Sequence, residues 1–122
     1  MIAVIFEVWP KPEHRDNYLE LAATMRKAIE GIDGFISVER FQSIVDDGKL
    51  LSLSFFETHE ALDEWRNLAE HRVAQKIGRS RFFADYRLRI ANVERDYSLT
   101  DRAQAPADSN TAHEANETGN SS

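Results

Sequence analysis

Between Met1 and Tyr97 the hydrophobic period switches between two and 3.6 residues, and the order of those switches restricts the chain to very few folds. In the first segment, Ile2, Val4, Phe6 and Val8 alternate with Ala3, Ile5, Glu7 and Trp9. Both sets are largely apolar, as expected of a strand covered on both faces, and Pro10 and Pro12 end it. From Glu13 the spacing becomes helical, with Tyr18, Leu21, Ala22, Met25, Ile29 and Ile32 on one stripe, and Gly31-Ile32-Asp33-Gly34 stops the helix. Two β-rich runs follow, "FISVERFQSIV" and "KLLSLSFFE", joined by Asp46-Asp47-Gly48, whose Asp-Gly step favours a hairpin. Thr58 suits the N-cap of a second helix running through "DEWRNLAEHRVAQKIGR". The run "YRLRIANVERDY" reads as a last strand.

The order strand, helix, strand, strand, helix, strand predicts a ferredoxin-like α+β sandwich, a four-stranded antiparallel sheet with both helices on one face. Two helices cover one side of such a sheet. Strands that are apolar on both faces would leave the other side bare, and a homodimer packed sheet against sheet resolves that. After Tyr97 the composition shifts. From Ser98 to Ser122 the only large aliphatic residue is Leu99, and a segment so poor in apolar surface cannot offset its ordering entropy, so residues 98–122 are expected to form a disordered polar tail. This tail sets Arg102 against Asp101, Asp108, Glu114 and Glu117, a charge of −3, which leaves −3 of the total −6 for residues 1–97.

These numbers remove several classes of function. A chain of 122 residues suits one domain and at most one active site. A net charge of −6 offers no positive field for nucleic acid or anionic lipid, so neither is expected as a partner. With no cysteine there is no disulfide framework, thiolate metal site, cysteine nucleophile or iron–sulfur cluster. His14, His59, His71 and His113 lack ligand-spaced partner histidines, and no metal site is expected. No glycine-rich phosphate loop and no nucleophile elbow is present. The apolar N-terminal run is short, has no basic leader and reads as a strand, so a cytoplasmic location is expected.

The second helix gathers an indole (Trp65), an amide (Asn67) and an imidazole (His71). On one continuous helix, Leu62, Trp65, Ala69, Val73 and Ile77 fall within a stripe about 120° wide that faces the sheet. His71 then falls on the far side, toward solvent. Only a break near Ala69-Glu70 would turn it inward, and "NLAEHR" contains neither glycine nor proline to force one. Trp65 is read either as a flat wall for a ring-shaped substrate or as a core tryptophan. For His71 the readings are a haem ligand, a general base or an exposed helix residue. Asn67 could orient dioxygen or a substrate oxygen, or be a solvated polar residue. Arg87 and Arg89, on alternate positions of the last strand, could stabilise an enolate or phenolate, or pair with Glu39 or another acid.

The element order together with "GFISVERFQS", "KLLSLSFFE" and the Trp65–His71 helix resembles the antibiotic biosynthesis monooxygenase family over residues 1 to about 97. That resemblance implies a dimeric ferredoxin-like domain and three functional expectations. The first is a cofactor-free monooxygenase that oxidises an anthrone- or hydroquinone-like aromatic molecule with dioxygen. Trp65, His71 and Asn67 would serve the chemistry, and Phe55, Phe56, Phe82, Phe83, Tyr86 and Arg89 would bind substrate. The second is haem degradation with haem on His71. It ranks lower, because the haem-degrading relatives carry an asparagine on the first strand where this chain has Glu7, and their tryptophan lies farther from the histidine. The third is a dimeric small-ligand-binding module without chemistry.

Overall fold

The computed structural model describes residues 1–111, and within them every side chain except those of residues 69, 70, 78 and 80. The chain divides into two units, Met1–Asn92 and a second that begins at Val93. The first unit contains β1 (Ile2–Pro10), a 3₁₀ turn (Pro12–His14), α1 (Arg15–Glu30), β2 (Phe35–Gln42), β3 (Leu50–Phe56), α2 (His59–Asn67), α3 (Ala69–Ile77), a π-helical turn (Gly78–Phe82) and β4 (Phe83–Asn92). The four strands form one antiparallel sheet in the order β2-β3-β1-β4. This is the ferredoxin-like α+β arrangement expected from the pattern of hydrophobic periods. No helix of the described residues is long and apolar enough to cross a membrane.

Each element follows from local chemistry. The α1 stripe buries Tyr18, Ala22, Met25 and Ile29, the 3.6-residue face read from the sequence. α1 ends at Glu30, and just before β2 Gly34 takes φ 90°, a left-handed conformation that residues with a side chain rarely adopt. A Cβ added at Gly34 would also lie 2.9 Å from the Ala61 Cβ. Gly34→Ala is therefore expected to cost about 1–3 kcal/mol of stability, read as a lower denaturant midpoint with an unchanged slope. An unchanged midpoint would contradict the strain. Between β2 and β3 the chain is tied by Asp46: Trp9 Nε1 donates to Asp46 Oδ2 at 2.9 Å, and the Gly48 N–H donates to Asp46 Oδ1 at 3.0 Å. β2 stops at Gln42, so Ser43, Ile44 and Val45 belong to the loop rather than the strand. Thr58 caps α2 by accepting from the Ala61 N–H at 3.2 Å.

The second unit is organised around Arg102. Its guanidinium donates to Asn110 Oδ1 at 3.1 Å, Ser109 Oγ at 2.8 Å and the Ser98 carbonyl at 3.0 Å, and lies 5.1 Å from the Tyr97 ring centroid. Of the tail expected to be disordered from Ser98 to Ser122, residues 98–111 belong to this hydrogen-bonded arrangement; residues 112–122, His113 among them, lie outside the described residues.

Register decides what each face of the sheet carries. Directly paired residues share a face, so Arg40, Ser52, Phe6 and Leu88 form one row toward the helices, and Val38, Ser54, Val4 and Ile90 form the next. In β3 the serines therefore point inward, and Leu51, Leu53 and Phe55 point to the opposite face. Simple alternation would place leucines on the core and serines in solvent. Two small side chains at the centre of the sheet instead leave the space beneath the helices unfilled.

Candidate active site

That space is a cavity of about 240 Å³. Val4, Phe6, Ser52 and Ser54 form its floor, Tyr18 and Met25 of α1 one wall, and Trp65, His71 and Ala74 the other. Its lining is mostly apolar, as small-molecule sites are. At one end Trp65 packs against the core cluster of Ile2, Ile29, Val38, Phe56 and Leu62. The other end adjoins a second cluster, of Val8, Tyr18 and Leu50, with Phe6 and Phe83 beside it.

His71 reaches the cavity because the helix predicted to run through it unbroken is divided. α2 ends at Asn67, Leu68 takes an extended conformation (φ −61°, ψ 136°), and α3 restarts at Ala69. The Arg72 N–H donates to the Leu68 carbonyl at 3.0 Å, so α3 begins with its own first turn closed. Leu68 also packs against the core cluster. The break rotates the face of α3. Val73, predicted to point inward, is 58% exposed, while His71, Ala74 and Gln75 line the cavity. The expectation that His71 faces solvent is corrected accordingly.

The Trp65 and His71 rings lie 4.2 Å apart, centroid to centroid, tilted by 53°. Burial, with a smaller push from the Arg66 guanidinium, lowers the His71 pKa from 6.5 to about 4. The imidazole is therefore neutral at pH 5–8. An unfolded chain protonates His71 near 6.5 whereas the folded one resists until about 4, so the folded state loses stability as pH falls through that window and loses no more below it. A proton NMR titration is expected to find one imidazole midpoint near 4 that disappears in His71→Gln, along with part of the acid destabilisation. A midpoint near 6.5 would place the ring in solvent.

The remaining sequence candidates separate. Phe83 and Tyr86 line the cavity and stack near Phe6, with centroids 5.8 and 5.7 Å from it. Asn67 does not line it: the side chain is exposed and accepts from Arg72 Nη2 at 2.7 Å. Phe56 is fully buried against Phe35 in the core, so its ring is packed by protein. Phe82 turns toward His14, 5.4 Å away. Phe55 belongs to the opposite face of the sheet by register. Arg89 is on that face too, where its Nη1 donates to Glu7 Oε1 at 2.8 Å; Lys49 joins the same carboxylate at 3.0 Å. The pairing expected for Arg89 is thus made with Glu7, not Glu39. These two cations hold the Glu7 carboxyl below its ordinary pKa, Lys49 foremost. Arg40, Tyr18, Ser52 and Ser54 line the cavity and escaped the sequence reading. The inward serines were the available signal, since "SLS" between leucines contradicts a filled core.

An apolar cavity beneath a divided helix in a ferredoxin-like domain is built as small-molecule sites are. A profile of the family described as "Antibiotic biosynthesis monooxygenase" matches residues 1–77, and the chain belongs to that family. A protein named "Jasmonate monooxygenase ABM" from Pyricularia oryzae is 43% identical over 93 residues, which are 76% of this chain. The match covers 43% of that relative, so this chain corresponds to less than half of it. "Uncharacterized protein YqjZ" of Bacillus subtilis is 33% identical over 93 residues, covering 76% of this chain and 79% of that protein. Among solved structures, Rv0793 of Mycobacterium tuberculosis superposes with a TM-score of 0.72 at 22% identity, covering 80% of this chain and 98% of that one.

Proposed function

We propose that the protein is a monooxygenase that oxidises a small ring-bearing molecule of the anthrone or hydroquinone type with dioxygen and without a cofactor. The observation that carries this reading is the Trp65–His71 pair: a neutral imidazole held against an indole at the wall of an apolar cavity of one-molecule size. The family and the name of the Pyricularia relative favour oxygenation of a small molecule.

The chemistry divides between substrate and protein. A deprotonated anthrone passes one electron to dioxygen, and the resulting radical and superoxide combine to form a carbon–oxygen bond. Protonation gives a hydroperoxide. Loss of the remaining proton on that carbon breaks the O–O bond, releases water and leaves a quinone carbonyl. The protein's tasks are to hold the ring, exclude water and favour the anion. His71 is poorly suited to removing the proton alone. A phenol-like acid of pKa ~10 facing a base of about 4 presents a gap of about 6 units, or ~8 kcal/mol. Its role in this reading is to accept a hydrogen bond and orient the ring, while the nearby Arg66 charge favours the anion.

Haem fits the site less well. A cavity of about 240 Å³ lies at the small end for ligand sites, which favours a compact ring over a tetrapyrrole. The reading is tested by oxygen consumption with anthrone: uptake above the buffer rate supports it, and uptake equal to buffer across anthrones and hydroquinones overturns it.

The quaternary proposal is a homodimer that covers the outer sheet face, where Ile5, Leu51, Leu53, Phe55 and Phe41 share one side by register. Sedimentation as a monomer at micromolar concentration would refute it.

A further inference from the structure

The cavity's lining has a charge pattern that the apolar ring reading does not use. Four of its residues are arginines (Arg26, Arg40, Arg66 and Arg79), and among the described residues no aspartate or glutamate lines it. In a chain of net charge −6 this is a local inversion. Arg26 and Arg66 answer to acids on their own helices, Glu30 at 3.3 Å and Asp63 at 3.7 Å. Arg40 differs from both. It rises from the inner face of β2, its Nε is sealed from water with no hydrogen-bond partner, and no ion pair to it is found among the described side chains. Tyr18 lies close enough to feel the Arg40 charge, but it is a neutral group that supplies no counter-charge. A guanidinium nitrogen sealed from water and left without a partner, on a cation with no carboxylate beside it, is costly, and an anionic guest would repair that deficit.

Position narrows the guest further. Arg40 stands in the row Arg40-Ser52-Phe6-Leu88, two residues along the strands from the row of Val38 and Ser54. Trp65 packs on the cluster that contains Val38, and Tyr18 belongs to the cluster at the opposite end. Two residues of strand span ~7 Å, so Arg40 springs from the row next to the one beneath Trp65, and one guest with a short side arm can reach toward both. The two serines lie on the floor of the same cavity and keep its centre open.

We propose that the cavity selects a ring compound bearing a carboxylate on a short arm, with the ring at Trp65 and His71 and the carboxylate anchored on Arg40. This rests on the small-molecule reading above and names its substrate class. Arginine suits the role because its planar fork meets a carboxylate with two parallel hydrogen bonds.

The test is calorimetric titration of the full chain with 1-naphthaleneacetate and with its uncharged isostere 1-naphthaleneacetamide. The acid is expected to bind about tenfold tighter or more, the effect of a hydrogen bond to a charged partner. Arg40→Gln is expected to shrink the preference to about twofold or less, and Arg87→Gln, on the outer sheet face, to leave it unchanged. If Arg40→Gln does not fold, Arg40→Lys serves, with an expected loss of about threefold or more, because the charge remains but the fork is gone. Equal binding of acid and amide, no binding of either, or a preference that survives at Arg40 would overturn the proposal. Neither probe is oxidised, so the two readings fail separately. Acid-selective binding without oxygen consumption on any ring substrate would leave the anchor intact and remove the monooxygenase; oxygen consumption with indifferent binding would do the reverse.

Discussion

Replacing Trp65 with alanine is expected to lower turnover of a confirmed ring substrate by about 100-fold. The indole packs at the ring-binding end of the cavity and lies 4.2 Å from the His71 imidazole, so its removal frees both the guest and the group that orients it. Loss of positioning of about 1 Å is enough for an effect of that size. Stability should fall less than function does, because Trp65 is only partly buried at the edge of its cluster. Trp65→Phe keeps a flat ring and should retain about one-tenth of the activity or more. Steady-state rates alongside thermal melts check the pair. Full turnover in Trp65→Ala would mean that the chemistry lies elsewhere.

The second large effect concerns stability. Phe56→Ala should cost about 3–5 kcal/mol, because the ring is fully buried, packs edge-on against Phe35 at 6.0 Å, and sits where β3 meets the core of Ile2, Ile29 and Leu62. For a unit of this size that corresponds to a fall in melting temperature of about 12 °C or more. The same substitution at Phe55, one residue away, should cost far less in a monomer, since that ring points to the opposite face. Differential scanning calorimetry of the two variants therefore tests the register of β3. A larger loss at Phe55 than at Phe56 would mean that the strand is shifted by one residue.

The register is also where the sequence was hardest to read. Order and type of elements followed from periodicity, because α1 has a single clean stripe and the turns carry Gly34, Asp46-Gly48 and Thr58, each with its own local hydrogen bonding or backbone demand. The candidate site was only half legible. Trp65, His71, Phe83 and Tyr86 line one cavity, but His71, expected toward solvent on an unbroken helix, reaches it through a break that no glycine or proline marks. It falls at Leu68, whose extended backbone a single helical wheel cannot represent. Arg40 was hidden for a related reason. An arginine in a strand reads as a solvent-facing residue, and only the pairing of Arg40 with Ser52 places it on the helix side. The phenylalanines failed in the other direction: ring content alone does not say which of Phe55, Phe56 and Phe82 faces a cavity, a core or a neighbouring turn.

The most direct test of the account is a turnover of anthrone by purified protein under ¹⁸O₂, followed by mass spectrometry of the quinone and compared with buffer and with Trp65→Ala. One labelled oxygen is expected in the quinone, formed faster than in buffer, with the acceleration largely lost in Trp65→Ala. Quinone formed no faster than in buffer, or formed as fast by the Trp65→Ala variant, would contradict it.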